Sequence, residues 1–220
     1  FTIEAPSAET SFMYNLQDES LETKVWNAFS PKVSLNYSPS GRSRLYVSAK
    51  RGFRPSVLDD LCRSGRIRGG FKLANPAIDP EYITNFEAGG DMLFAGNVRA
   101  SASVYYSVGK DFMYYVNSGD SIDMGFGDRP IFVRTNIPRV DIYGAELEIN
   151  YRPLSNLSFN VAYSYNHSEI IRYRQLDSAD PVDLTGRHLT DVPANTVSLS
   201  GRWQNRIADL SLLFRYQGRA

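Results

Sequence analysis

A chain of 220 residues with 42% hydrophobic and 13% aromatic residues has enough apolar side chain to bury a substantial surface, which excludes intrinsic disorder. Its 24 Lys and Arg against 24 Asp and Glu leave no net field to gather nucleic acid or an acidic polymer. The apolar run at 112–116 is far shorter than the roughly 20 residues a bilayer-spanning helix needs, so a helical membrane protein is excluded as well.

Phe1-Thr2-Ile3-Glu4 has neither an initiator Met nor a basic and apolar leader, so the expectation is a chain cut at its start, with any export signal upstream. From about residue 29 apolar and polar positions alternate with the period of a strand that separates two environments, and eight such segments follow. The first sets Phe29, Val33, Leu35 and Tyr37 against Ser30, Lys32, Ser34 and Asn36. The second sets Leu45, Val47 and Ala49 against Arg44, Ser48 and Lys50. In the third, Phe86, Ala88, Met92 and Phe94 oppose Asn85, Glu87 and Asp91. The fourth has Val98, Ala100, Ala102 and Val104 against Arg99, Ser101 and Ser103. The fifth and sixth are the clearest: Tyr143 to Tyr151 against Glu146, Glu148 and Asn150, then Leu157 to Tyr165 against Ser158, Asn160 and Ser164. The seventh carries Val197, Leu199 and Trp203, and the eighth Leu210, Leu212, Phe214 and Tyr216.

Short turns at about 38–42, 95–97, 152–156 and 204–207 alternate with long polar stretches at about 1–23, 54–80, 117–137 and 168–191. In an antiparallel meander all four long connections leave on one side, the asymmetry of outer-membrane barrels. A soluble β-sandwich also alternates, but it does not require that asymmetry. Tyr37, Phe53, Tyr106, Tyr151 and Tyr165 stand near segment ends, where rings could form an interfacial girdle or pack across strands.

Several ordered pieces resemble the β-barrel of TonB-dependent receptors. They begin with Phe29-Ser30-Pro31-Lys32, Leu45-Tyr46-Val47-Ser48, Gly52-Phe53-Arg54-Pro55 and Leu58-Asp59-Asp60-Leu61. The most specific stretch is Asn75-Pro76-Ala77-Ile78-Asp79-Pro80-Glu81 followed by Asn85-Phe86-Glu87-Ala88-Gly89. Val140-Asp141-Ile142-Tyr143-Gly144-Ala145-Glu146 and Asp191-Val192-Pro193-Ala194 come later. The resemblance covers roughly residues 24 to 217. It implies an all-β fold: about eight antiparallel transmembrane strands, a little over a third of a wall of about 22. The plug, its TonB-engaging segment and the aromatic-ended closing strand of that family are not matched, and residues 1–220 are expected to be barrel only. Pro55, Pro76 and Pro80 suit loops and strand starts, and Gly52, Gly89 and Gly144 suit crowded points on the wall.

Function implied by the resemblance is an outer-membrane receptor that binds a scarce nutrient (a ferric siderophore, cobalamin or an oligosaccharide) and imports it with energy from TonB, ExbB and ExbD. A passive pore or adhesin barrel stays open as a second reading, and a barrel hydrolase as a third. Lipopolysaccharide and outer-membrane lipid are the expected surroundings; nucleic acid, cofactor and metal are not expected. The candidate ligand-binding residues are Arg54, Arg63, Arg66, Arg68, Tyr114, Tyr115, Asn117, Arg172, Tyr173 and Arg174. Guanidinium forks, joined by Lys72, suit an anionic ligand, and amphipathic rings suit a sugar or aromatic one. The same arginines would equally serve lipopolysaccharide phosphates or solubility.

No catalytic constellation is evident. His167, His188 and Asp191 could form a rim site with a serine, and Asp177, Asp180 and Asp183 could hold calcium, but a solvated loop accounts for both groups. Gly125-Phe126-Gly127 lacks the third glycine of a dinucleotide loop. Of three Asn-x-Ser matches, at Asn36, Asn156 and Asn166, two fall in predicted strands or turns, and all read as chance. Cys62 has no cysteine partner in the chain.

Overall fold

Alternation with period two holds a strand between oil and water, and each of the eight segments is such a strand in the computed structural model. Residues 2–3, 23–123, 125, 127–173, 183–190 and 192–219 are described. The wall is made by β3 (Lys32–Ser40), β4 (Ser43–Arg54), β7 (Glu81–Phe94), β8 (Val98–Asp123), β9 (Asp128–Leu154), β10 (Leu157–Arg172), β11 (Asn195–Gln204) and β12 (Asp209–Gln217). They form an antiparallel meander in chain order from β3 to β12. A two-residue pair, β1 (Thr2–Ile3) with β2 (Lys24–Val25), stands apart from it. β3 and β12 are the ends of the sheet, which does not close among the described residues.

Register makes the two faces continuous across the wall. Leu45, Gly90, Ala102, Leu147, Tyr163, Val197 and Tyr216 are successive cross-strand partners, a row of apolar or small residues. One residue away, Arg44, Asp91, Ser101, Glu148, Ala162, Ser198 and Arg215 form the matching row of the other face. A slip of one residue on any strand would exchange the rows, so burial in lipid would fix the register strongly. A hollow of about 420 Å3 on the polar face is lined by residues from β4 through to β11. The polar face suits the lumen of a barrel and the apolar face its lipid side, so they are called inner and outer. Leu35, Val47, Leu147, Leu212 and Phe214 stay 42–70% exposed on the outer face, as lipid contact would leave them.

Aromatic side chains bracket the outer apolar surface. Phe86, Tyr106 and Tyr143 are register partners near one end, and Tyr151 stacks on Phe159 near the other with centroids 6.4 Å apart. Eight residues separate Tyr143 from Tyr151. At about 3.3 Å each and about 40° of tilt they span roughly 20 Å, close to the height of a barrel's apolar band.

The turns on the Tyr151 side are short, as expected: left-handed backbone at Ala95 (φ 46°) and Gly96 (φ 77°) closes β7 onto β8. Wall glycines at Gly89, Gly90 and Gly144 are required by close approach. A Cβ on Gly144 would meet the carbonyl of Tyr165 and stand 2.5 Å from the hydroxyl of Tyr105, its ladder partner. A Cβ on Gly89 would lie 2.8 Å from the ring of Tyr46, again the residue opposite. In both places a tyrosine lies across a bare glycine on the inner face. Gly52 needs no such relief, since its added Cβ would meet Ile83 at an ordinary 3.5 Å.

The stretch at 117–137, expected as a loop, is strand except at its tip. β8 and β9 run to 26 and 27 residues, and the connection is only 124–127. A membrane strand takes about 9–11 residues, so this hairpin stands well beyond the wall. Its outer half has no apolar and polar alternation because neither face meets lipid. The ladder passes over Asp111, in left-handed backbone (φ 53°), and Pro138, which has no N–H to give. The side chain of Asn136 takes up the Asp111 carbonyl instead.

Candidate functional site

The long β4–β7 connection folds as a strap across the projecting hairpin. A short helix, α1 (Leu58–Cys62), is followed by β5 (Gly65–Ile67) and β6 (Gly70–Leu73), and β6 adds in parallel to β9 at Ile131, Phe132 and Val133. Leu61 and Ile78 of the strap bury Met113 of β8, with Trp26 and Cys62 against them. Asn75 donates to the Arg134 carbonyl at 2.9 Å, and Asp79 and Asn136 exchange two hydrogen bonds of 2.8 Å.

At the centre of this contact is a buried carboxylate. Asp60, 2% exposed, accepts from Arg134 Nη1 at 2.7 Å on one oxygen. The other oxygen accepts from the Tyr115 hydroxyl at 2.9 Å and lies 3.5 Å from the buried Lys72 ammonium. Lys72 also binds the carbonyl and carboxylate of Asp59, and the Arg134 guanidinium lies 4.9 Å from the Tyr115 ring centroid. Two cations thus enclose one buried anion, with Asp59 supplying the second negative charge, so the cluster is close to neutral. The Lys72 hydrogen bond holds the Asp59 carboxyl below its ordinary range. Burial first, then donation to Asp60, pushes the Tyr115 phenol up to about 12. Arg134 Nε is buried with no partner among the described residues.

The opposite face of the hairpin is covered by residues 183–190. Ile137, Val140, Ile170 and Leu189 form a buried core that Phe112, Tyr114, Tyr173 and Leu184 join. Tyr114 bonds the Thr190 hydroxyl at 2.7 Å and accepts from the Thr190 N–H at 3.1 Å.

The ten candidate residues therefore separate into groups. Arg54 is ion-paired with Glu81 at 2.8 Å and Arg63 with Asp59 at 2.9 Å, while Tyr115 is engaged by Asp60. Arg66 in β5 and Arg68 in the β5–β6 turn are exposed at the strap's tip. Tyr114 and Tyr173 belong to the second core, and Arg172 ends β10 in register with Arg139. Tyr114, Tyr115 and Asn117 lie on a strand, not in a loop, and the Asn117 side chain accepts from the Gly119 N–H. Arg174 lies outside the described residues. Asp60, Arg134 and Asn136 escaped the sequence reading as contacts. The Asp59-Asp60 pair between Leu58 and Leu61 was a usable signal for one half, but nothing marked Arg134.

His167 faces the outer wall, stacked on Tyr143 at 4.6 Å, with His188 edge-on at 4.7 Å. His188 Nδ1 faces the Ser168 carbonyl at 2.7 Å, so that nitrogen carries its proton. The Ser168 hydroxyl accepts from Leu189 N–H at 3.3 Å. Asp191, Asp177 and Asp180 lie outside the described residues, and Asp183 bonds the Thr185 N–H. Among the described residues no group of three His, Cys, Asp or Glu could hold a metal ion.

The sequence profile of the family described as "TonB dependent receptor-like, beta-barrel" matches residues 8–220. Among solved structures, the copper transporter OprC is similar over 84% of this chain and 25% of its own, with 19% identity and a TM-score of 0.61. The ferric enterobactin receptor PfeA of Pseudomonas aeruginosa is similar over 90% and 28%, with 17% identity and a TM-score of 0.57. FauA of Bordetella pertussis, the alcaligin outer membrane receptor, is similar over 92% and 32%, with 17% identity and a TM-score of 0.55. The chain thus spans about a quarter to a third of the length of these structures. No curated protein sequence matches it. With its eight-stranded antiparallel wall and a profile match over nearly its whole length, the chain belongs to the TonB-dependent receptor family, as a segment of the β-barrel.

Proposed function

We infer that this chain is part of an outer-membrane receptor that captures a scarce nutrient outside the cell and imports it with energy delivered through TonB, ExbB and ExbD. The observation that carries this reading is one sheet with a continuous apolar outer face, a hollowed polar inner face and structured extensions on one side alone. Apolar rows suit lipid, the polar hollow suits a hydrated or plugged lumen, and the extensions suit ligand capture. Arg66 and Arg68, displayed by a strap that Asp60 pins to the hairpin, are the cations best placed to meet an anionic nutrient such as a ferric siderophore.

The test is uptake by cells expressing the complete receptor, with ferric siderophores, cobalamin and oligosaccharides each offered as labelled substrate. Uptake of one of them that disappears when TonB is deleted supports the reading. Uptake that continues undiminished without TonB would make the protein a passive pore. Alanine at Arg66 and Arg68 together should lower the affinity for an anionic ligand about ten-fold or more while leaving the barrel assembled.

A further inference from the structure

The four short turns of the wall carry a charge that the chain as a whole does not. Residues 38–44, 92–99, 150–158 and 202–210 contain six arginines, one carboxylate, Asp209, and no lysine or glutamate, in a chain whose 24 cations and 24 anions balance. Two of these arginines are neutralised locally: Arg44 pairs with Asp91 at 2.9 Å, and Arg202 pairs with Asp209. Arg42, Arg99, Arg152 and Arg206 are exposed and take part in no ion pair among the described residues.

Register decides which way the strand-borne cations point. Arg99 stands two residues from Ser101 and opposite Asn150, Arg152 stands four residues from Glu148, and Arg202 is opposite Ser158, so all three fall on the inner face. Arg42 and Arg206 lie in the turns themselves. From β4 to β11 there are five steps across the sheet, and at about 4.8 Å a step the arginines are strung over roughly 24 Å of rim. At the same level the outer face shows Phe94, Tyr151, Phe159 and Trp203, each 39–45% exposed, and no cation among the described residues.

This arrangement selects among anions. A lipid beside the wall meets the aromatic outer face, with the guanidinium groups on the far side of the strands. A small anion needs cations that converge on one point, whereas these are spread along a line. A polymer that carries carboxylates at intervals fits the line, and a guanidinium fork takes a carboxylate through paired hydrogen bonds. Each exposed contact is weak, and several on one polymer add through their common tether. We propose that this rim binds the carboxylates of cell-wall peptidoglycan, with Arg42, Arg99 and Arg152 as the principal contacts. The proposal rests on the reading that the wall spans the outer membrane, which puts the short turns in the periplasm.

Co-sedimentation of the complete receptor, in detergent, with isolated peptidoglycan sacculi tests this. The wild type should pellet with the sacculi and be released when their carboxylates are amidated or when salt is raised to about 1 M, where charges more than about 3 Å apart are screened. Arg42→Gln, Arg99→Gln and Arg152→Gln together should weaken binding about ten-fold or more, and Arg42→Lys, Arg99→Lys and Arg152→Lys together should keep part of it. Heat-modifiable gel migration shows whether each barrel is assembled. If the triple glutamine variant is not, Arg152→Glu alone should weaken binding about three-fold. Failure of the wild type to pellet, binding that survives amidation, or binding untouched by these changes overturns the proposal. So does complete displacement by phosphatidylglycerol in the same detergent, which would make the rim a lipid site. A receptor that imports its nutrient but ignores sacculi refutes this inference alone. One that binds sacculi but imports nothing refutes the transport reading instead.

Discussion

Replacing Asp60 by alanine should unfasten the strap while the barrel wall stays folded. The carboxylate is the shared counter-charge of Lys72, whose side chain is 4% exposed, and Arg134, whose side chain is 21% exposed. Removing one member of a buried ion pair costs about 3–5 kcal/mol, because the charge left behind is neither paired nor hydrated. Lys72 keeps Asp59, and Arg134 has some access to water, so the lower end of that range applies, about 3 kcal/mol. This corresponds to roughly a hundred-fold larger population with the strap open. Amide hydrogen exchange reads that population directly: protons at 59–79, including the Asn75 N–H bound to the Asp60 carbonyl, should exchange about a hundred-fold faster. Amides of β10 and β11 in the wall should be unaffected and serve as the internal reference. Acceleration below about three-fold would refute the reasoning. It would mean that the β6–β9 ladder and the Leu61, Ile78 and Met113 contact hold the strap without help from the charge.

Other expectations follow from the same geometry. Gly144→Ala should destabilise the folded barrel by about 1–3 kcal/mol, whereas Gly52→Ala should be nearly silent; heat-modifiable gel migration separates the two. Leu147→Arg, on the outer face midway between Tyr143 and Tyr151, should cost about 2–4 kcal/mol of membrane-folded stability, and Ser103→Arg on the inner face much less. The strap should also respond to pH at both extremes. Asp59 has a depressed folded pKa, so its contribution is present above the ordinary carboxylate range near pH 4 and is lost as pH falls through the folded value. Tyr115 has a raised one, so its contribution is present below about pH 10 and is lost as pH rises towards about 12. Strap exchange rates that stay flat across both windows would contradict the assigned hydrogen bonds.

The wall was legible because lipid imposes a rule on every second residue. Each alternating segment, from Val33 to Tyr37 through Leu210 to Tyr216, lies in a strand with its apolar set outward, and the short turns follow from the same boundaries. Gly89 and Gly144 were correctly read as crowded points, although their cause, a tyrosine on the neighbouring strand, needs the register to be seen. The aromatic positions Tyr37, Tyr106 and Tyr151 also fall on the apolar face.

Beyond the membrane that rule lapses, and the sequence reading lapsed with it. From Phe112 to Ile137 the hairpin is covered on one face by the strap and on the other by residues 183–190, so side chains follow local partners rather than a period. Tyr115 and Tyr114 are neighbours in sequence with unrelated duties, one donating to Asp60 and the other bonding Thr190. Asp60 and Arg134 are 74 residues apart, and only the strap's crossing of the hairpin brings them together. That crossing changes how the arginine-rich stretch is read. Arg54 and Arg63 are held in ion pairs by Glu81 and Asp59 and fix the strap's shape, while Arg66 and Arg68 are exposed at its tip. A change at Asp60 would therefore reach the strap's tip without touching it, by loosening the support that positions those two residues.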